Sequence, residues 1–220
     1  MTAPTDTTCW TLIRDAAGGD ADARERFARV YLPVARGALG GRWKGSPRLA
    51  WVEDAAQDVF VECFKPGGVL AAADAERGGF RAFFLAVVRN VARRHEEKHR
   101  PEVPLPDQHP ADDTSLSVAF DKAWARALLK EAARVQAETA MGNERATKRV
   151  ELLRLRFQDG LPIRAIAERW NEAVTKLHHE YATAREEFRA ALRTVIAFHH
   201  PTATEAALDD ASRELLALVG

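Results

Sequence analysis

Cysteine is scarce in this sequence, and neither sign of charge is in surplus. Among 220 residues the cysteines are Cys9 and Cys63. Neither belongs to a C-x-x-C pair, so a disulfide framework or zinc ribbon has no basis and a reducing compartment is the natural setting. Lysine plus arginine total 32 and aspartate plus glutamate total 32, for a formal net charge of zero. A protein that holds DNA alone usually carries a basic surplus, because its affinity comes largely from counter-ion release. The balance therefore counts against autonomous DNA binding while leaving locally basic surfaces open. Long apolar runs are missing too. The longest, Phe83 to Val88, is far short of the roughly 20 residues a membrane helix needs. Met1 to Thr8 lacks the basic-then-apolar pattern of a secretory leader. A cytoplasmic protein without membrane insertion is expected. No phosphate loop, nucleophile elbow or Rossmann glycine pattern occurs, so neither cofactor nor catalytic residue is expected.

What is there favours helix. Alanine, leucine, arginine and glutamate dominate, and β-branched residues are sparse. Trp10, Leu12 and Ile13 form a short apolar segment ended by Gly18 and Gly19. Asp20 or Asp22 can cap the next helix, in which Phe27, Val30, Tyr31 and Val34 keep helical spacing. Pro33 should kink or shorten it, and Gly40, Gly41, Gly45 and Pro47 read as a loop. In a helix from near Val52, Val52, Ala55, Ala56, Val59, Phe60 and Cys63 make one apolar face, and Pro66, Gly67 and Gly68 end it. A long helix or helix pair then runs from Gly79 to Arg100, with Phe80, Phe83, Phe84, Val87, Val88 and Val91 as its apolar set.

Residues 101–121 break the pattern. Pro101, Pro104, Pro106 and Pro110 preclude a continuous helix, and Glu102, Asp107, Asp112, Asp113 and Asp121 meet no lysine or arginine. The stretch reads as an acidic, extended linker. A second helical block follows. Phe120, Trp124, Ala127, Leu128 and Val135 line one helix, Val150, Leu153, Leu155 and Phe157 a second, and Ile163, Ile166, Ala167 and Trp170 a short third. Val174, Leu177, Tyr181, Ala184, Phe188, Leu192 and Val195 recur at three- and four-residue steps, the stripe of a long amphipathic helix. Thr202 to Leu218 reads as one more short helix, whose Leu208, Leu215, Leu216 and Val219 could pack on the preceding block or dock a regulator.

Three segments could carry function. The first is Leu161 to Leu192, in which a short helix, a tight connection at Trp170 to Glu172 and a longer helix make a helix-turn-helix. Opposite the apolar stripe lie Thr175, Lys176, His178, His179 and Ala182, placed to meet base edges or phosphates in a major groove. The same spacing also describes an ordinary helical hairpin. The second is residues 81–100, where Arg81, Arg89, Arg93, Arg94, Lys98 and Arg100 outnumber Glu96 and Glu97, with Asn90, His95 and His99 beside them. Such a helix suits a backbone-tracking surface next to aromatics, although the phenylalanines alone read more simply as core. The third is the polar side of the helix from Val52, where Asp54 and Asp58 share a face. That face suits docking or plain solvation better than acid–base work. The pairs His178–His179 and His199–His200 point about 100° apart on a helix and do not make a good metal chelate.

Taken in order, WVEDAAQDVFVECF, then FRAFFLAVVRNVARRHEEKHR, then an acidic linker and a C-terminal helix-turn-helix resemble the extracytoplasmic-function (ECF) branch of the bacterial sigma-70-type sigma factors, over about residues 10–197. Asp54, Gln57, Asp58, Val59 and Phe60 resemble the D-x-x-Q-D/E-V-F pattern of sigma region 2. The resemblance implies that Asp54, Gln57 and Asp58 dock on the clamp coiled coil of core RNA polymerase. Phe80, Arg81, Ala82, Arg89 and Asn90 resemble the F-R-A…R-N pattern, which implies that Arg89, Asn90, Arg93, Arg94 and Lys98 recognise and open the minus-ten element. Thr175, Lys176, His178 and His179 would read the minus-thirty-five element. Glu180 stands where an arginine is usual, and would repel phosphate or read a cytosine amino group.

The implied fold is all-α, with two small helical domains, sigma region 2 and a region 4 helix-turn-helix, joined by an acidic, proline-rich linker. The implied boundaries are 1–100, linker 101–118, 119–198, and a helical tail 199–220. Core polymerase and promoter DNA would be the partners, and an anti-sigma factor or other regulator is compatible. Linked weak readers raise each other's effective concentration, so a neutral chain suffices. Two rivals differ in kind. An autonomous helix-turn-helix regulator would bind DNA tightly and salt-sensitively without polymerase. An all-α enzyme or metal protein would need site spacings that are not present.

Overall fold

A computed structural model of the chain describes residues 9–73, 79–98 and 113–219. The described residues form nine α-helices and two short 3-10 turns, and no strand occurs among them. They fall into two compact units. One holds the described residues as far as Ala127, with Phe198–Ala203 and the residues from Glu214; the other holds Leu128–Ala197 and Thr204–Arg213. Among the described residues no helix is long and apolar enough to cross a membrane.

In the first unit, α1 (Cys9–Gly18) buries Cys9, Leu12, Ile13 and Ala16, one stripe at helical spacing. Gly19, at φ 98°, lets the chain turn, and the Asp20 carboxylate accepts from the Ala23 N–H at 2.7 Å to start α2. α2 (Ala21–Arg42) passes through Pro33 without ending there, and Gly40 and Gly41 lie inside it. The expected loop therefore begins later, after Trp43. Gly37 and Gly41 allow a close approach: a Cβ at Gly37 would stand 2.7 Å from that of Ala123. The 3-10 turn Pro47–Trp51 leads into α3 (Val52–Phe64), whose buried Ala55, Ala56, Val59 and Cys63 match the expected face. After the 3-10 turn Val69–Ala72 comes α4 (Phe80–Lys98), which buries Phe80, Phe84, Val87, Val88, Val91 and Ala92.

α5 (Asp113–Ala140) begins inside the stretch expected to be an extended linker. For 113–121 that expectation is corrected, because the prolines all precede Asp113 and nothing after it opposes helix. Residues 99–112, with most of the expected linker, Pro101 to Pro110, and with His99 and Arg100, lie outside the described residues. Leu116, Phe120 and Trp124 belong to the core of the first unit rather than to the second block. Phe120 stacks on Trp124, and Trp124 stacks on Tyr31 at a centroid distance of 5.7 Å. The fully buried Phe27 meets the edges of Phe60, Phe64, Phe80 and Phe84. A ring buried as fully as Phe27 contributes about 1.5–3 kcal/mol by leaving water. The Tyr31 hydroxyl, also buried, is 2.9 Å from His199 Nε2. His199 is thus spent on the core.

In the second unit, Gly142 takes φ 82° and Asn143 caps α6 (Glu144–Phe157) by accepting from the Ala146 N–H at 3.0 Å. α7 (Ile163–Trp170) and α8 (Val174–His199) follow. Leu152, Leu155, Ile166, Ala167 and Leu177 form the core of this trio, with Leu161, Ile163, Trp170 and Tyr181 at its edge. Phe157 is exposed, unlike its expected place in the apolar stripe. The buried Gln136 of α5 donates to the Ala184 carbonyl of α8 at 3.0 Å. α9 (Glu205–Val219) realises the expected tail helix, with Leu208 buried and Leu216 and Leu218 exposed.

Candidate functional site

In the first unit, burial of Ala55, Ala56, Val59 and Cys63 forces the intervening residues of α3 outward. Glu53, Asp54, Gln57 and Asp58 are all exposed. The acidic face and the basic helix, read separately in the sequence, are joined by packing of α3 on α4. His95 Nε2 is 2.8 Å from the Asp58 carboxylate, and Arg94 donates to Glu62 at 2.7 Å. Lys65 pairs with Glu62 as well, and the hydrogen bonds from Lys65 and Arg94 hold that carboxyl below the usual range.

The arginines of α4 find acids at the start of α5. Arg93 donates to Asp113 at 2.5 Å, Arg89 Nε lies 3.7 Å from the same carboxylate, and Arg42 donates to it at 3.2 Å. Arg81 pairs with Asp121. Burial would raise the Asp113 carboxyl, but its arginines outweigh that and hold it below its ordinary value. Asn90 and Lys98 are exposed. The expected minus-ten set thus divides: Arg89 and Arg93 converge on Asp113, Arg94 turns to α3, and Asn90 and Lys98 face solvent. Asp113 and Asp121 were missed as partners because the sequence shows them only as part of an acidic stretch. Their one signal is position, just ahead of and within the apolar series Leu116, Phe120 and Trp124.

The second unit holds the turn-linked helix pair. Asn171 takes the left-handed conformation, φ 51° and ψ 47°, and its N–H returns to the end of α7. The Glu172 N–H reaches the Ala167 carbonyl at 3.0 Å. Few residues tolerate left-handed backbone, and asparagine is one, so the chain reverses in three residues without glycine. α8 then starts with Val174, Thr175, Lys176, His178 and His179 all exposed around the buried Leu177. With Ala182, also exposed, all five residues expected on the outer face are there.

No family model, curated protein or solved structure matches this chain.

The flank of α8 toward α6 is strongly charged. Lys176 pairs with Glu172 at 2.7 Å, and Lys148 of α6 donates to the same carboxylate at 3.0 Å while lying over the Trp170 ring. Glu180 accepts from Arg145 at 2.5 Å and from Arg149 at 3.4 Å. Arg149 also pairs with Glu187. Both oxygens of Glu180, the residue that stands where the family it resembles usually has arginine, are held by α6. These α6 cations were not expected from the sequence, because only the folded trio brings them beside α8. All of these groups except Glu187 line a cavity of about 230 Å³. Among the described residues no group of three or more His, Cys, Asp or Glu could hold a metal ion. The arrangement leaves an acidic helix face exposed in one unit and an exposed helix start behind a tight turn in the other.

Proposed function

We propose that this chain is an alternative sigma factor of the ECF type, which binds core RNA polymerase and directs promoter recognition and transcription initiation. The observation that carries the reading is the α7–turn–α8 pair, with Thr175, Lys176, His178 and His179 exposed at the start of α8. A helix so presented is about 10–12 Å across and fits a major groove about 12 Å wide. The acidic face Asp54, Gln57 and Asp58 is the proposed polymerase contact, and Asn90 and Lys98, with Arg89, Arg93 and Arg94 once exchanged from their acids, the proposed minus-ten contacts. Core polymerase and promoter DNA are the partners, and the cytoplasm is the compartment. The chain carries out no chemistry of its own in this reading.

The test mixes purified protein with bacterial core polymerase and measures complex formation, beside an Asp54→Arg/Asp58→Arg variant. Both positions are exposed, so the variant should keep its fold, which circular dichroism checks. Tight binding by the parent and at least tenfold weaker binding by the variant support the reading. A folded parent that ignores polymerase yet binds duplex DNA specifically by itself overturns it in favour of an autonomous helix-turn-helix regulator.

A further inference from the structure

The charges beside α8 are layered, and the layering has a direction. Glu172 and Glu180 lie inside, with side chains 21% and 14% exposed. Three of the cations that hold them lie outside, Arg145 at 77% exposed, Lys148 at 47% and Lys176 at 60%, while the fourth, Arg149, lies inside beside Glu180 at 12%. A helix inserted in the major groove has phosphates along both flanks, because groove width and helix diameter nearly match. Thr175, His179 and Ala182 lie opposite Leu177 on the helical wheel. Lys176 and Glu180 occupy the flank nearest α6. The outer cations therefore stand where one DNA strand would pass, next to a cavity of about 230 Å³ with room for a phosphate oxygen and several waters.

We propose that Arg145 and Lys148 of α6, together with Lys176, form a strip that contacts the DNA backbone. Glu172 and Glu180 serve it as built-in counter-ions, which DNA phosphates replace. This rests on the reading that α8 enters duplex DNA, and adds that the domain is weakened deliberately. Each glutamate already supplies the anion that a phosphate would offer, so binding trades one ion pair for another and releases few salt ions. The hydrogen bonds from Lys176 and Lys148 hold the Glu172 carboxyl below the usual range, and those from Arg145 and Arg149 do the same for Glu180. Both acids stay charged at neutral pH.

The test measures binding of the full chain to a short labelled duplex of arbitrary sequence, without polymerase, across a range of salt. The Glu172→Gln/Glu180→Gln variant keeps the side-chain shapes and removes the counter-charge. It should bind roughly three- to tenfold tighter at low salt, with a log–log salt slope steeper by about one to two. Adding Arg145→Ala and Lys148→Ala should return affinity to the parental level or below. Thermal melting confirms that each variant is folded. A folded glutamine variant with unchanged or weaker affinity, or no DNA binding by parent and variant alike, overturns the proposal. Because polymerase is absent, a failure here is distinguishable from a failure of the sigma reading, which the docking experiment decides.

Discussion

Arg42 and Glu96 form a two-point ion pair, with guanidinium-to-carboxylate distances of 2.7 and 2.9 Å, in which the arginine side chain is only 3% exposed. The indole N–H of Trp43 donates to the same carboxylate at 2.8 Å. This pair ties the end of α2 to the end of α4, the helix whose basic residues are proposed to meet DNA. Arg42→Ala should destabilise the protein by about 3 kcal/mol, because it strands a carboxylate that burial has partly stripped of water. Glu96→Gln should cost less, since an amide still accepts from Trp43. Urea unfolding of the three proteins measures both, and a cost near zero for Arg42→Ala would contradict the pairing.

The same pair predicts acid sensitivity. Burial would raise the Glu96 carboxyl, but the hydrogen bonds from Arg42 and Trp43 outweigh it and leave the group below its ordinary 4.5. Asp113 is likewise held below its ordinary 3.8. A depressed folded value means that the stabilisation is complete above the ordinary value and disappears as pH falls through the folded one. The parent should therefore lose stability on acidification from about pH 5 downward, and Glu96→Gln should show a shallower loss. Parallel acid titrations of the unfolding midpoint decide between this and a common dependence.

Gly37 and Gly40 should respond oppositely to the same change. A Cβ at Gly37 would stand 2.7 Å from the Cβ of Ala123, whereas at Gly40 nothing lies within 4 Å. Gly40→Ala should stabilise by roughly 0.5–1 kcal/mol through helix propensity. Gly37→Ala should destabilise by about 1–3 kcal/mol despite the same gain, because α2 and α5 must separate. Thermal melts that move in the same direction would mean that this close approach is not a constraint.

Asn171 is the residue on which the turn between α7 and α8 depends. At φ 51° an alanine would be strained, so Asn171→Ala should cost about 1 kcal/mol, and Asn171→Gly should be neutral or slightly stabilising. Under the proposed reading of α8 as a groove helix, binding to a duplex should follow the same order, measured by anisotropy.

Burial pushes the Cys63 thiol up to about 12 and the Cys9 thiol up to about 11. Since the thiolate is the nucleophile, neither cysteine should react with a disulfide reagent at mildly alkaline pH while the protein is folded, and both should react in denaturant. Rapid stoichiometric labelling of the folded protein would contradict the burial of both groups.

The sequence by itself determined the helices and the exposure of their outer faces. α3, α4, α7 and α8 begin and end near the expected residues, because apolar spacing and capping are local signals that each segment carries alone. Thr175, Lys176, His178 and His179 are exposed for the same reason: the stripe through Leu177 and Ala184 is buried, and the opposite face has nowhere else to point. Only the tertiary structure decided which charges meet. That Asp113 gathers Arg42, Arg89 and Arg93, that Asp58 reaches His95, and that Glu180 turns to Arg145 and Arg149 depend on contacts between helices far apart in sequence. The end of α2 was misjudged on the same account. Gly40 and Gly41 look like chain breakers locally, but a helix packed against Ala119 and Ala123 of α5 needs small residues at its contact points, Gly41 and Gly37, and packing outweighs the roughly 1 kcal/mol that each glycine costs.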